Sequence, residues 1–199
     1  MRWPATRRGR LRASRWNVAT AITCGRLGLV PVVGVLLAVD GAAARVAAAV
    51  VFVVATLSDQ VDGLVARRRD LVTDLGVLLD PVADKALIGT VLVGLSLLGE
   101  LPWWVTVVVL VREVGVTLLR LAVRRHGVMP ASRGGKVKTA LQSLALLLYL
   151  LPLEGAPATA RAVVMGAAVV VTVVTGLDYV VRAVRLRASG RRSQVAAVR

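Results

Sequence analysis

Residues 59–85 read DQVDGLVARRRDLVTDLGVLLDPVADK. Four aspartates, Asp59, Asp62, Asp80 and Asp84, stand here in a chain otherwise dominated by Val, Leu and Ala. The pattern is Asp59-x-x-Asp62-Gly63-x-x-Ala66-Arg67, eight residues, then Gly76-x-x-x-Asp80-x-x-x-Asp84. Each helical residue advances about 100°, so Asp59, Asp62, Gly63 and Ala66 share an arc of roughly 100°. Gly76, Asp80 and Asp84, spaced i, i+4, i+8, make a second face. A short basic turn of Arg67, Arg68 and Arg69 joins the two. Helices lying side by side here bring four carboxylates together. Like charges in a poorly hydrated place raise each other's pKa, so a cation must accompany them. All-oxygen donors favour a hard divalent ion, Mg²⁺ or Mn²⁺, over zinc.

Working outward, the 199 residues are 57% hydrophobic and only 4% aromatic, with a mean hydropathy of +0.75. The apolar excess lies in long runs, which predicts an all-α integral membrane protein built as one bundle. The net charge of +15 comes from basic residues at the ends of those runs. That is a membrane-topology pattern and not the footprint of a nucleic-acid binder. Cys24 is the only cysteine, which excludes an intramolecular disulfide; it is expected to be a small packing residue. No cleavable signal peptide is evident, because the first fifteen residues are basic and polar and the apolar run after them lacks a small-residue cleavage site.

Six spans fit, at roughly residues 19–39, 42–58, 73–98, 102–123, 137–153 and 159–181. The second is expected to continue as helix through Asp59–Ala66, and the fifth is short and must borrow flanking residues. Pro31 is expected to kink the first span, and Pro81 to distort the third beside its aspartates. Residues 17–183 form the membrane domain, between basic tails at 1–16 and 184–199, the second irregular beyond Arg187. Both tails, the 67–69 turn and the 124–138 loop hold most of the 26 basic residues. The opposite turns offer only Arg45 and Arg161 against Asp40, Glu100 and Glu154. The positive-inside rule then places both termini and the aspartates in the cytoplasm. The Val/Ala/Arg-rich composition suggests a bacterial chain, in which this is the inner membrane.

The 59–84 pattern resembles the signature of the CDP-alcohol phosphotransferases, with all eight fixed positions present at the family's spacing. Further stretches, Asp80-Pro81-Val82-Ala83-Asp84-Lys85, Arg112-Glu113 with Arg120, and Gly135-Lys136-Val137-Lys138-Thr139, resemble the branch that uses glycerol 3-phosphate. Asn17, Thr23 and Arg26 resemble that branch's N-terminal motif, except that Val18 replaces the usual proline. The resemblance implies a six-helix bundle, usually a homodimer, with its site at the cytoplasmic membrane surface. It implies transfer of a phosphatidyl group from CDP-diacylglycerol to an alcohol, with release of CMP. By position it makes Asp59, Asp62 and Asp80 metal ligands for one or two Mg²⁺ or Mn²⁺ ions. Asp84 would lie close to the metals and serve as general base. Gly63, Ala66, Arg67 and Gly76 would surround the CDP moiety.

The residue types suit that chemistry. Attack on a pyrophosphate must overcome its negative charge, which bound divalent ions offset. Glycines let a nucleotide approach the helix backbone, and Arg67 can reach phosphate with charge-assisted hydrogen bonds. Arg112, Lys136 and Lys138 are candidate ligands for the phosphate of glycerol 3-phosphate; the alternative makes both lysines topology anchors and pairs Arg112 with Glu113 or an aspartate. Arg120 joins them or snorkels. Asp178 is left open, Asp70 and Asp74 read as solvated or capping residues, and His126 as a loop residue. Rival readings are a sister enzyme using phosphatidylglycerol or inositol phosphate, a divalent-cation transporter, and a lipid-binding scaffold. Against transport, the carboxylates cluster near one face with no second acidic site near the other.

Overall fold

In a computed structural model the backbone is described for residues 18–69, 74–123 and 133–197, and side chains for residues 23–58, 82–123, 134–155 and 159–186. The described residues are all-helical. They form α1 (Val18–Ala38), α2 (Ala42–Arg69), α3 (Asp74–Leu97), α4 (Trp103–Val123), α5 (Arg133–Leu150) and α6 (Ala156–Ala197). α3 lies centrally and packs against α1, α2, α4 and α5, while α6 lies on α4 and α5. Val33 and Leu37 of α1, Phe52 of α2, Val91, Leu92 and Leu95 of α3, Val109 of α4 and Leu146 of α5 meet in one buried core. Within it Ser96 and Thr106 share a 2.7 Å hydrogen bond, and Thr106 Oγ1 donates to the Leu92 carbonyl at 3.2 Å. Each hydroxyl so buried is satisfied across the α3–α4 contact.

Element boundaries depart from expectation where local propensity outweighs charge. Arg67–Arg69 is the last turn of α2, not a turn between helices; arginine is a good helix former, and cations suit a helix C-terminus. α5 begins at Arg133, ahead of the expected start of the fifth span, so Lys136 is helical instead of lying in the loop. The short fifth span thus takes its extra length from its N-terminal side, and it stops at Leu150, just before Pro152. α6 continues to Ala197 where an irregular tail was expected beyond Arg187; Ala, Arg and Gln there sustain a helix despite Gly190. α1 runs through Pro31 and α3 through Pro81 without a break. Cys24 is exposed because the inward face of α1 is taken by buried Thr23 and Arg26. Residues 70–73 and 124–132, with the expected loop position of His126, lie outside the described residues.

The turns α1–α2, α3–α4 and α5–α6 gather at one end. α3 stops in a Schellman arrangement, with Glu100 N–H bonded to the Leu95 carbonyl at 3.0 Å and Gly99 N–H to Ser96 at 3.1 Å. Gly99 adopts φ +74°, a conformation that glycine reaches without a Cβ penalty. The turn presents Glu100 to Arg45, whose Nη2 donates to Glu100 Oε2 at 2.5 Å and to the Tyr149 carbonyl at 2.7 Å. Arg161 stands 4.0 Å from the same carboxylate and 4.9 Å above the Tyr149 ring. The two arginines that break the charge asymmetry are thus absorbed in one clasp. An open hollow of about 440 Å³ adjoins it, lined by Leu37, Asp40, Arg45, Glu100, Leu151 and Arg161. Arg45→Ala is expected to lower stability by roughly 1–3 kcal/mol, the range for charged hydrogen bonds with a partner left behind. Thermal unfolding in detergent checks this; an unchanged midpoint would show that the clasp contributes nothing.

The outward surface is apolar. On α4, Val107, Val111, Val114, Leu118 and Leu121 are all more than half exposed, at helical spacing. α6 carries a similar stripe through Val163, Val170, Val174, Leu177 and Val184. Among the described residues Thr159–Leu186, 28 residues, is the segment long and apolar enough on its own to cross a membrane, with shorter apolar stretches at Thr23–Ala38 and Ala42–Ser58.

Candidate active site

The opposite end holds the signature. α2 and α3 pack together and are joined across residues 70–73. Asp59, Asp62, Gly63, Ala66 and Arg67 fall on the last turns of α2, and Gly76 and Asp80 on the first turns of α3. Their side chains lie outside the described residues. The backbone puts Asp59 and Asp62 on α2 and Asp80 and Asp84 on α3. Asp84, one turn after Asp80, is described and partly exposed on α3.

Asp84 connects the signature to a second cluster. Its carboxylate stands close enough to Lys138, and Lys85 close enough to Glu113, for their charges to interact. Lys138 Nζ donates to Glu113 Oε1 from a side chain only 3% exposed. Arg112 Nη1 donates to the same Glu113 oxygen at 3.2 Å, and Arg112 Nη2 to Thr175 Oγ1 at 3.1 Å. One carboxylate from α4 therefore holds a cation from its own helix and one from α5. Two positive charges against one negative leave the cluster cationic, which suits an anionic ligand.

Of the predicted acceptor ligands, Arg112 and Lys138 are brought together. Lys136 is exposed, because residues two apart on a helix point about 200° apart. Arg120 joins the cluster and does not merely snorkel: its Nη2 donates to the Tyr179 hydroxyl at 2.5 Å. Asp178 pairs with Arg182 at 2.9 Å on the exposed side of α6. Glu113 was legible only as one possible partner of Arg112, and its grip on Lys138 went unread. Thr175 and Tyr179 were missed altogether, although their i, i+4 spacing in an apolar helix marks one polar face.

Among the described residues, Gln142 and Thr172 are buried with side-chain polar atoms that have no hydrogen-bond partner, and Arg112 Nε shares that state. Gln142 lies one turn along α5 from Lys138, and Thr172 three residues before Thr175. Buried polar atoms that the chain itself leaves unmatched are normally met by water or ligand. The large hollow at the clasp end contains none of the site residues. It is therefore not the centre of this chemistry.

A Mycobacterium tuberculosis protein named "Probable phosphatidylglycerophosphate synthase" is 52% identical over 177 residues, 87% of this chain and 85% of the relative. A Bacillus subtilis protein named "CDP-diacylglycerol--glycerol-3-phosphate 3-phosphatidyltransferase" is 34% identical over 180 residues, 82% of this chain and 93% of the relative. A Rickettsia felis protein of the same name is 34% identical over 169 residues, with coverage of 82% and 93%. Residues 16–174, covering α1 to α5 and much of α6, match the family described as CDP-alcohol phosphatidyltransferase, and to that family this chain belongs.

Proposed function

We propose that the protein transfers a phosphatidyl group from CDP-diacylglycerol to sn-glycerol 3-phosphate, giving phosphatidylglycerophosphate and CMP. The observation that carries the acceptor is the buried Arg112–Glu113–Lys138 cluster within charge reach of Asp84. It sets a cationic cluster suited to a phosphomonoester beside the group that must take a hydroxyl proton. The names of the relatives support the same acceptor.

The acceptor hydroxyl oxygen attacks the phosphorus that bears the diacylglycerol. The bond from that phosphorus to the bridging oxygen breaks, CMP departs with the bonding electrons, and the hydroxyl proton passes to Asp84. Asp59, Asp62 and Asp80, with Asp84, are an all-oxygen set on two packed helices that fits Mg²⁺ or Mn²⁺, two ions in our reading. Such ions would offset the pyrophosphate charge and stabilise departing CMP. Gly63, Ala66, Arg67 and Gly76 hold the CDP moiety. Arg112 and Lys138 hold the acceptor phosphate, with Lys136 at the rim.

The bundle is an integral membrane protein with six spans, both termini and the site cytoplasmic, in a bacterial inner membrane. The exposed apolar stripes of α4 and α6 support this, since a water-soluble surface rarely leaves such patches bare. Trp103 and Trp104, half exposed or more at the start of α4, suit a membrane interface. We read the assembly as a homodimer.

The test is CMP release by purified protein in detergent, with CDP-diacylglycerol, Mg²⁺ or Mn²⁺, and one acceptor at a time. Metal-dependent turnover is expected with glycerol 3-phosphate. Turnover only with phosphatidylglycerol or inositol phosphate would overturn the acceptor assignment and leave the family intact.

A further inference from the structure

α6 reaches the site through Thr175, Gly176 and Tyr179, which lie beyond residue 174, where the family match ends. We propose that this face of α6 positions the two arginines of α4 for an anionic acceptor, with Tyr179 as the central positioning residue. The inference rests on the acceptor reading above and assigns it a determinant beyond the end of the family match.

Tyr179 is 1% exposed, so its ring cannot move aside without disturbing the helix packing. Its hydroxyl accepts from Arg120 Nη2 at 2.5 Å, and the Arg120 guanidinium lies 4.5 Å from the ring centroid. The Arg112 guanidinium lies 5.8 Å from the same centroid. One aromatic ring thus faces two cations about two turns apart on α4, and its π face offsets their mutual repulsion. Thr175 fixes the other edge. Its hydroxyl donates to the Val171 carbonyl at 2.7 Å, which turns an oxygen lone pair toward Arg112 Nη2. Gly176 eases the approach, because a Cβ there would make a tight contact of 3.2 Å with Arg112 Cγ.

The consequence is preorganisation. A guanidinium whose fork is already fixed loses less freedom when it binds an oxyanion than one that must first be ordered. None of the three α6 residues needs to touch the acceptor. Their effect is expected in acceptor binding and not in the chemical step.

The experiment measures KM for glycerol 3-phosphate, KM for CDP-diacylglycerol, kcat and the unfolding midpoint in the full-length protein. Tyr179→Phe keeps the ring and removes the hydroxyl; Thr175→Val keeps shape and removes the acceptor of Arg112. Each is expected to raise the glycerol 3-phosphate KM by roughly three- to tenfold, with donor KM, kcat and midpoint little changed. Tyr179→Leu, which also removes the π face, should raise it further. In the Arg120→Lys background, Tyr179→Phe should add little, because both act on one contact. An unchanged acceptor KM in both conservative variants would overturn the inference alone. A parallel fall in midpoint, kcat and both affinities would do the same by showing a structural role. Absence of glycerol 3-phosphate turnover in the unsubstituted protein would instead sink the acceptor reading on which this one stands.

Discussion

Asp84→Asn is expected to cut CMP release by about 10²–10⁴-fold, the usual contribution of general-base catalysis. The substitution is nearly isosteric, so α3 and its packing on α1 and α4 should persist. Two things are lost together: the proton acceptor, and a negative charge among the carboxylates proposed to hold divalent ions. A carboxylate beside a metal is a modest base, so its placement against an already polarised hydroxyl matters more than its intrinsic basicity. The nearby Lys138 would tie that placement to the acceptor phosphate. CMP release under saturating donor and acceptor checks the magnitude, and an unchanged unfolding midpoint checks the fold. Activity within about threefold of the unsubstituted protein would remove Asp84 from the base's role.

The second large effect falls on stability. Glu113→Ala leaves the Lys138 ammonium, 3% exposed, without its carboxylate and beside Arg112. Breaking a buried pair by deleting one partner typically costs roughly 3–5 kcal/mol, because the remaining charge stays desolvated. Lys138→Met should be milder, since Glu113 keeps Arg112 at 3.2 Å. Replacing both, Glu113→Leu with Lys138→Met, should recover much of the stability and none of the turnover with glycerol 3-phosphate. Thermal unfolding in detergent, run beside the CMP assay, separates the two readouts. If Glu113→Ala unfolds at the same temperature as the unsubstituted protein, the pair is not the buried anchor described above.

The pattern of stability against activity bears on what the sequence could reveal. The signature aspartates stand out in the sequence because an aspartate amid Val and Leu is costly without a purpose, and their helical spacing prompts the metal-site reading proposed above. The number and order of helices followed from the apolar runs and from the turns at Gly41, Gly99 and Gly155. Lys136 and Lys138 looked equivalent as neighbours in a basic stretch. Only the start of α5 at Arg133 fixed the rotation that buries one and exposes the other. Glu113 was visible beside Arg112, but its bond to Lys138 joins residues 25 positions apart, and no local pattern announces such a pair. Tyr179 was harder still, because an aromatic in an apolar helix reads as core until the arginines above it are seen. Cys24 shows the same limit on α1, where the face that turns inward was set by Thr23 and Arg26.

The clasp of Arg45, Glu100, Arg161 and the Tyr149 carbonyl joins α2, the α3–α4 turn, α5 and α6 at one end only. Mechanically it is the joint of a pair of tweezers. A helix of 20 residues is about 30 Å long, so a tilt of about 5° at the joint opens the far tips by roughly 2–3 Å. In the proposed reaction, the far tips of α2 and α3 are where the two-tailed donor would enter and its product leave. The charges that looked like exceptions to the topology rule thus tie four elements together at the end away from the signature.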